Sequence, residues 1–323
     1  MLTAAPSTTS RSSTLSLAAA FGTIYIVWGS TYLAMRVGVG EGAGAMPPLL
    51  MAAVRFLTAG AIMFAITRVR RETWPTSRQC RDNAIAGALM LFLGNGLVMW
   101  AEQYVPSGIT ALTIGTTPIF MTLLEWAQPG GRRPGPWTTL GIITGFAGII
   151  ILSAPWEEFT GASTLPLKGI AAIMVSAFFW SSGTVFLHRV KNPAPALTAT
   201  TLQMLFGGAL LLAGAAARGE ISTVRPADIH AGAWLALAYL IVVGSLIALT
   251  TYTWLVKHST PARVSTYAYV NPVIAVFLGW LILDEPVTTR TLFAAAIIIA
   301  AVALIITRKN KRLVSENTGK KEI

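Results

Sequence analysis

The chain has 323 residues, 54% of them hydrophobic and only 11% charged, against about a quarter charged in a typical soluble domain. With a mean hydropathy of +0.63, this composition excludes an ordinary water-soluble domain and leaves the number of membrane crossings as the question. The formal charge of +11 does not point to nucleic acid, because the basic residues gather between apolar runs and at the C-terminus, where orientation signals belong.

Residues 1–14 are rich in Ser, Thr and Ala with only Arg11 charged, and read as a disordered tail. The following LSLAAAFGTIYIVWGSTYLA is too long for the apolar core of a signal peptide and carries Trp28 in mid-span, so a retained helix is expected. Apolar runs then cover about 15–38, 47–67, 82–101, 107–126, 136–153, 168–188, 195–217, 231–256, 262–282 and 288–307. Each is near the roughly 20 residues that a spanning helix needs. Turn residues such as Pro47-Pro48, Pro106, Pro129-Gly130-Gly131 and Pro286 mark the breaks. The pattern predicts an all-α membrane protein of ten transmembrane helices. With the N-terminus inside, most of the 24 Lys and Arg fall in inside segments, among them Arg68, Arg70, Arg71, Arg78, Arg81, Arg132 and a basic tail, 308–323. Both termini are therefore expected to be cytoplasmic. The lone Cys80 leaves no intramolecular disulfide, and His188, His230 and His258 are too scattered for a ligand cluster; neither metal nor cofactor is expected.

The chain repeats. Ile26-Val27-Trp28-Gly29-Ser30 aligns with Phe178-Phe179-Trp180-Ser181-Ser182, Arg55…Gly60 with Gln203…Gly208, Gly94-Asn95 with Gly244-Ser245, and Thr117-Pro118 with Asn271-Pro272. The units are 15–153 and 168–307, five helices each. An odd number of helices makes the second unit enter from the opposite side, an inverted repeat whose interface commonly holds the substrate near mid-membrane. The stretch Ser265–Glu285, STYAYVNPVIAVFLGWLILDE, and its looser copy Ala111–Trp126 each carry an internal Pro, expected to break the helix there.

The segments IVWGSTYLAMRVG, PPLLMAAVRFLTAG, GNGLVMWAEQYVPSGITAL and STYAYVNPVIAVFLGWLILDE together resemble the EamA-type transporters of the drug/metabolite transporter superfamily, in particular a YedA-like bacterial inner-membrane branch. The resemblance covers about residues 17–307. It implies two inverted five-helix repeats and export of small metabolites, amino acids or drugs. One departure is that Asp284-Glu285 closes the ninth helix whereas Pro129-Gly130-Gly131-Arg132 follows the fourth, an asymmetry between the two halves.

Helical spacing places polar and aromatic groups on matching faces of paired helices. Trp28 and Ser30 match Trp180 and Ser182; Thr113 and Thr117 match Tyr267 and Asn271; Asn95 matches Ser245, with Tyr252 further along that helix. As a set they are read as lining a substrate cavity, although any single Ser or Thr is accounted for by helix packing. Arg55, matched by Gln203, is either an anchor for a substrate carboxylate or a structural partner for helix-end carbonyls or Glu102. Glu102 and Glu125 are the candidates for proton coupling, with a solvated interfacial position the competing reading. Gly141, Gly145 and Gly148 read as a packing stripe, within the fold or in a dimer, and Trp74, Trp137, Trp156 and Trp234 as an interfacial belt. No nucleophile–base set and no phosphate-binding loop occurs, so an enzyme or ATP-driven pump is disfavoured. The expected function is a secondary active exporter of small organic solutes working by alternating access, with a facilitative or channel-like pathway as the alternative. Its partners would be the solute and membrane lipids, as a monomer or homodimer.

Overall fold

The computed structural model describes residues 14–131, 133–153, 167–190, 194–259 and 266–319. The expected N-terminal tail up to residue 13, Arg132, Trp156, Ser265 and the last four residues of the basic tail lie outside these. Among the described residues the chain is helical throughout, with no strand. In order come α1 (Thr14–Val39), α2 (Pro48–Val69), α3 (Ser77–Ala101), α4a (Ser107–Ile114), α4b (Thr117–Ala127) and α5 (Pro136–Ser153). The second unit holds α6 (Leu167–Arg189), α7 (Ala196–Ala217), α8 (Ala231–His258), α9 (Tyr267–Leu283) and α10 (Thr289–Gly319). Counting α4a and α4b as one run, 8 of these are long and apolar enough to cross a membrane, while α5 and α9 are apolar but shorter. The α10 helix carries on through residues 308–319, so most of the basic tail has a helical backbone.

In lipid every backbone polar group must be satisfied within the protein, which is why an apolar chain of this kind folds as helices. Their ends are set locally. Pro48 opens α2, where the missing N–H costs nothing, and Thr76 and Gln79 form a reciprocal capping box at the start of α3. Asp284, with φ 51°, turns the chain out of α9.

The two halves meet along α2 and α7. Gly60 on α2 receives Leu205, and Gly208 on α7 receives Leu57; a Cβ on either glycine would come within 3.0 Å of that leucine. The numerical shift that carries Gly60 onto Gly208 also carries Leu57 onto Leu205, so the contact is its own two-fold image. The same shift relates two acidic clamps. Glu220, just past α7, accepts the Leu50 N–H at the head of α2 at 2.9 Å. Glu72, just past α2, accepts the Thr198 hydroxyl at the head of α7. Carboxylates placed there meet the positive end of each helix dipole.

Around this axis each half lends its first helix to the other. The α1 helix packs on α8 and α9, and α6 packs on α3 and α4b. Next to the axis, α3 lies against α7 and α8 against α2. The glycine stripe Gly141, Gly145 and Gly148 packs within the chain, against Ile305, Ile119 and Ile298 respectively. The belt tryptophans Trp74, Trp137 and Trp234 are exposed.

Two expectations are corrected by the backbone. The ninth helix is not broken at Asn271-Pro272: α9 runs unbroken from Tyr267 to Leu283 with Pro272 inside it. In the fourth helix the chain does part, at Gly115-Thr116, two residues before Pro118. There the Thr117 hydroxyl donates at 2.6 Å to the Ile114 carbonyl, the acceptor that Pro118 cannot serve.

The tight α3–α7 seam gives a test. A Cβ on Gly87 would lie 2.7 Å from the Gln203 carbonyl oxygen, a main-chain atom that cannot step aside, whereas Gly22 has nothing within 4 Å. Gly87→Ala should cost about 1–3 kcal/mol of stability. Gly22→Ala should be neutral or stabilising by up to about 1 kcal/mol. Thermal unfolding in detergent distinguishes them, and equal midpoints would refute the seam.

Candidate functional site

The swapped first helix decides which side chains meet. Trp28 on α1 stands between Tyr252 on α8 and Tyr267 on α9, with ring centroids 5.2 and 4.9 Å away, and the two tyrosines are 6.3 Å apart. Three residues singled out from sequence, drawn from both halves, thus form one aromatic cluster.

One turn along α1, Thr31 donates its hydroxyl to the Trp28 carbonyl at 2.7 Å and packs on Gly244 of α8. Arg55 of α2 reaches the same spot. Its Nε donates to Ser245 Oγ at 3.1 Å, while Nη1 is buried and has no hydrogen-bond partner among the described residues. Among the described residues no acidic side chain acts on this guanidinium, which is 6% exposed and lies 4.8 Å from the Phe56 ring centroid. Ser245 and Tyr252 are two turns apart on one face of α8, roughly 10 Å at 1.5 Å per residue. The site is therefore bipolar, with an unneutralised cation at one end and aromatic rings at the other. The structure selects neither of the partners weighed for Arg55, since the carboxyl of Glu102 is not bonded to it.

Both helices that carry Asn95 and Ser245 widen into π-helix just there. The 8-residue stretches Ala88–Asn95 and Leu240–Ile247 occupy corresponding places in α3 and α8. The wider turns are stitched by side chains: Ser176 donates to the Gly94 carbonyl at 2.8 Å, and Ser245 to the Leu240 carbonyl at 2.9 Å. Insertions of this kind are rare and frequently sit at functional sites. Sequence reasoning missed them, and only the paired Gly94 and Gly244 hinted that backbone geometry mattered there.

The remaining candidates divide. Ser30 is buried and shares a 2.6 Å hydrogen bond with the Tyr239 hydroxyl across the halves. Asn95 and Asn271 each hold a buried Oδ1 with no partner among the described residues. Trp180 packs beside Gly94. Gln203 is spent on Asn83 at 2.8 Å. Thr113 is fully buried and donates to the Ile109 carbonyl of its own helix. Ser182 likewise bonds its own helix, at the Phe178 carbonyl, and its neighbour Ser181 is the one that crosses to α4b, donating to the Thr117 carbonyl at 3.1 Å. At Gly115, between Thr113 and Thr117, a Cβ would lie 3.3 Å from the Pro272 ring, so the junction of α4a and α4b touches α9. Glu125 is half-buried near the end of α4b. A recess of about 340 Å³ lined by Ile151, Thr289, Arg290 and Phe293 is apolar and open, and none of the aromatic cluster lines it.

At the end of the bundle where α1 and α3 finish, a further set of polar bonds joins the halves. Glu285 accepts from the Ser107 N–H at 2.7 Å, the Ser107 hydroxyl at 3.0 Å and the Gly108 N–H at 3.2 Å, capping α4a. Arg290 grips the Ile151 and Leu152 carbonyls at the end of α5, and the His230 N–H bonds the Gly44 carbonyl at 3.0 Å. None of these partnerships was legible in the sequence beyond the unmatched acidic turn at Asp284-Glu285.

Two repeats packed about an axis, apolar helices and a site shared between halves define a multi-pass membrane protein of the transporter class. The chain belongs to the EamA-like transporter family, which it matches over residues 15–154 and again over 167–307. It is therefore a transporter and not an enzyme. It is 35% identical over 299 residues to the uncharacterized inner membrane transporter YedA of Escherichia coli K12, covering 90% of each chain. It is 23% identical over 276 residues to the uncharacterized transporter YoaV of Bacillus subtilis, covering 85% of this chain and 91% of that one. A solved crystal structure at 23% identity matches with a TM-score of 0.60 over 93% of this chain and 99% of its own, a likeness of fold.

The aromatic cluster can be tested as a unit. In a double-mutant cycle of Trp28→Leu and Tyr267→Leu, unfolding should show a coupling of about 0.5–1.5 kcal/mol. A coupling of zero would mean that the rings are neighbours without mutual support.

Proposed function

We propose that this protein is a secondary carrier of the bacterial inner membrane that exports small organic solutes bearing a carboxylate and an apolar body, amino acids among them. In this reading the two short helices α5 and α9 also cross the bilayer, giving ten crossings, and both termini are cytoplasmic, as the Lys and Arg bias favours. The end of the bundle where α1 and α3 finish then faces outward.

The observation that carries the proposal is the bipolar site between the halves. A buried guanidinium without a counter-charge is costly in a membrane and, as a rule, marks a substrate path or partner. Its planar fork matches a carboxylate in two places. Trp28, Tyr252 and Tyr267 offer the apolar body of such a solute a three-ring wall about 10 Å away. Ser30, Asn95, Thr117, Trp180 and Asn271 border the surrounding seams and would become accessible as the halves rock about α2 and α7. Thr113, Ser182 and Gln203, which donate to the Ile109 carbonyl, the Phe178 carbonyl and Asn83, are read here as packing residues.

Counterflow in proteoliposomes, screened over amino acids, sugars and cationic drugs, is the test. A carrier gives saturable exchange, best for solutes with a free carboxylate; flux that never saturates would establish a channel instead. Against the best solute, Arg55→Gln should weaken apparent affinity about tenfold to a hundredfold, the worth of a charged hydrogen bond of about 1.5–3 kcal/mol. The same variant should leave exchange of the solute's amide analogue unchanged. Equal losses for acid and amide would remove Arg55 from the site.

A further inference from the structure

Glu102, one residue past the third span, is 0% exposed, and both its carboxyl oxygens lack a hydrogen-bond partner among the described residues. None of its described neighbours bonds the carboxyl. On α1, Arg36 donates from Nη1 to the Glu102 and Gln103 carbonyls at 2.6 Å, closing the end of α3 rather than pairing with the carboxyl, and Tyr32 lies nearby. On α4a, the Thr110 hydroxyl is beside the carboxyl but outside hydrogen-bond geometry. Neither Arg55 of α2, which is bonded to Ser245, nor the exposed Lys168 at the head of α6 acts on the carboxyl. Past α9, Glu285 adds a second negative charge while its own oxygens are held by Ser107 and Gly108. An ionised carboxylate here would be buried, unbonded and next to another carboxylate, which is untenable in a dry interior. Burial first, then the charge of Glu285, hold Glu102 well above the usual glutamate range, with Arg36 and Thr110 pulling the other way.

The position matters as much as the environment. Glu102 is close enough to Glu285 to feel its charge and lies beside Thr110 of α4a, so it adjoins the bond between Glu285 and the head of α4a that joins the second half to the first at the outward end. Parting that bond would bring water to Glu102. We propose that Glu102 is a proton-binding site linked to closure of the outer end: closed when neutral, ionised when open. The inference rests on the carrier reading and adds its regulation by outer pH. On opening, the carboxyl O–H gives its proton to outer water, leaving a carboxylate stabilised by water and Arg36; closing takes one proton back from the same side.

The sign follows from linkage. Protonation is favoured in the closed state, so closure is strongest at low pH and weakens as pH rises through the interval between the open-state and closed-state values. Within that interval the open-to-closed ratio should rise about tenfold per pH unit.

The experiment uses the full chain in phosphatidylethanolamine/phosphatidylglycerol vesicles, with Cys80→Ser and spin labels at Glu41→Cys and Pro286→Cys, exposed positions on opposite halves at the outer end. Raising the pH from about 5 to about 9 should move the distance distribution towards longer separations. With Glu102→Gln it should stay short throughout, and the infrared band of a neutral buried carboxyl should disappear. Should that variant not fold, Glu102→Met gives the same readout. A distribution that ignores pH in the parent protein, or moves equally in the neutral variant, overturns the proposal. Absence of counterflow at every pH would refute the carrier reading and leave these two measurements standing.

Discussion

Everything in this molecule is hung on the self-complementary seam between α2 and α7. Glycine on each helix admits leucine from the other, and an acidic residue after each helix holds the head of its partner. In a bilayer there is no hydrophobic force between apolar helices, so association depends on close packing of small residues and on polar bonds. The α2–α7 seam has both, twice over, at positions related by one shift in sequence. It therefore sets the axis about which the other helices are placed.

The exchange of first helices follows from that axis. With α2 and α7 side by side and antiparallel, α8 lies next to α2 and α3 next to α7, and α1 is left to pack across the divide on α8 and α9. The consequence is chemical. Trp28 leaves its own half to complete a cluster with Tyr252 and Tyr267, and Arg55 meets Ser245 of the opposite half. A site built this way is assembled from both halves and is reshaped whenever they move relative to one another.

Symmetry of fold does not carry over to symmetry of charge. Arg55 has only Gln203 as its counterpart, and Gln203 bonds Asn83. The cap on α4a comes from Glu285, at a turn for which the first half has Gly and Pro. Buried Glu102 lies two turns past Asn95, and the residue two turns past its match Ser245 is Tyr252, inside the aromatic cluster. The cation and the buried acid thus both belong to the first half, while Ser245, which Arg55 bonds, and Glu285, whose charge acts on Glu102, belong to the second.

The sequence by itself determined the membrane class, the two repeats and the family, because apolar run length, Lys and Arg placement and repeated short motifs are all local patterns. It marked Trp28, Tyr252, Tyr267, Arg55 and Glu102 individually. Helical spacing reports which face of its own helix a residue occupies, not which helix lies opposite. Only the tertiary structure decided that α1 crosses to the other half and that Thr113 and Ser182 spend their hydroxyls on their own backbones. It decided as well that α9 passes through Pro272 unbroken, and that α3 and α8 open into π-helix at the polar positions. Each of these turns on where a donor finds its acceptor, and in a closely packed bundle that depends on neighbours far away in the chain.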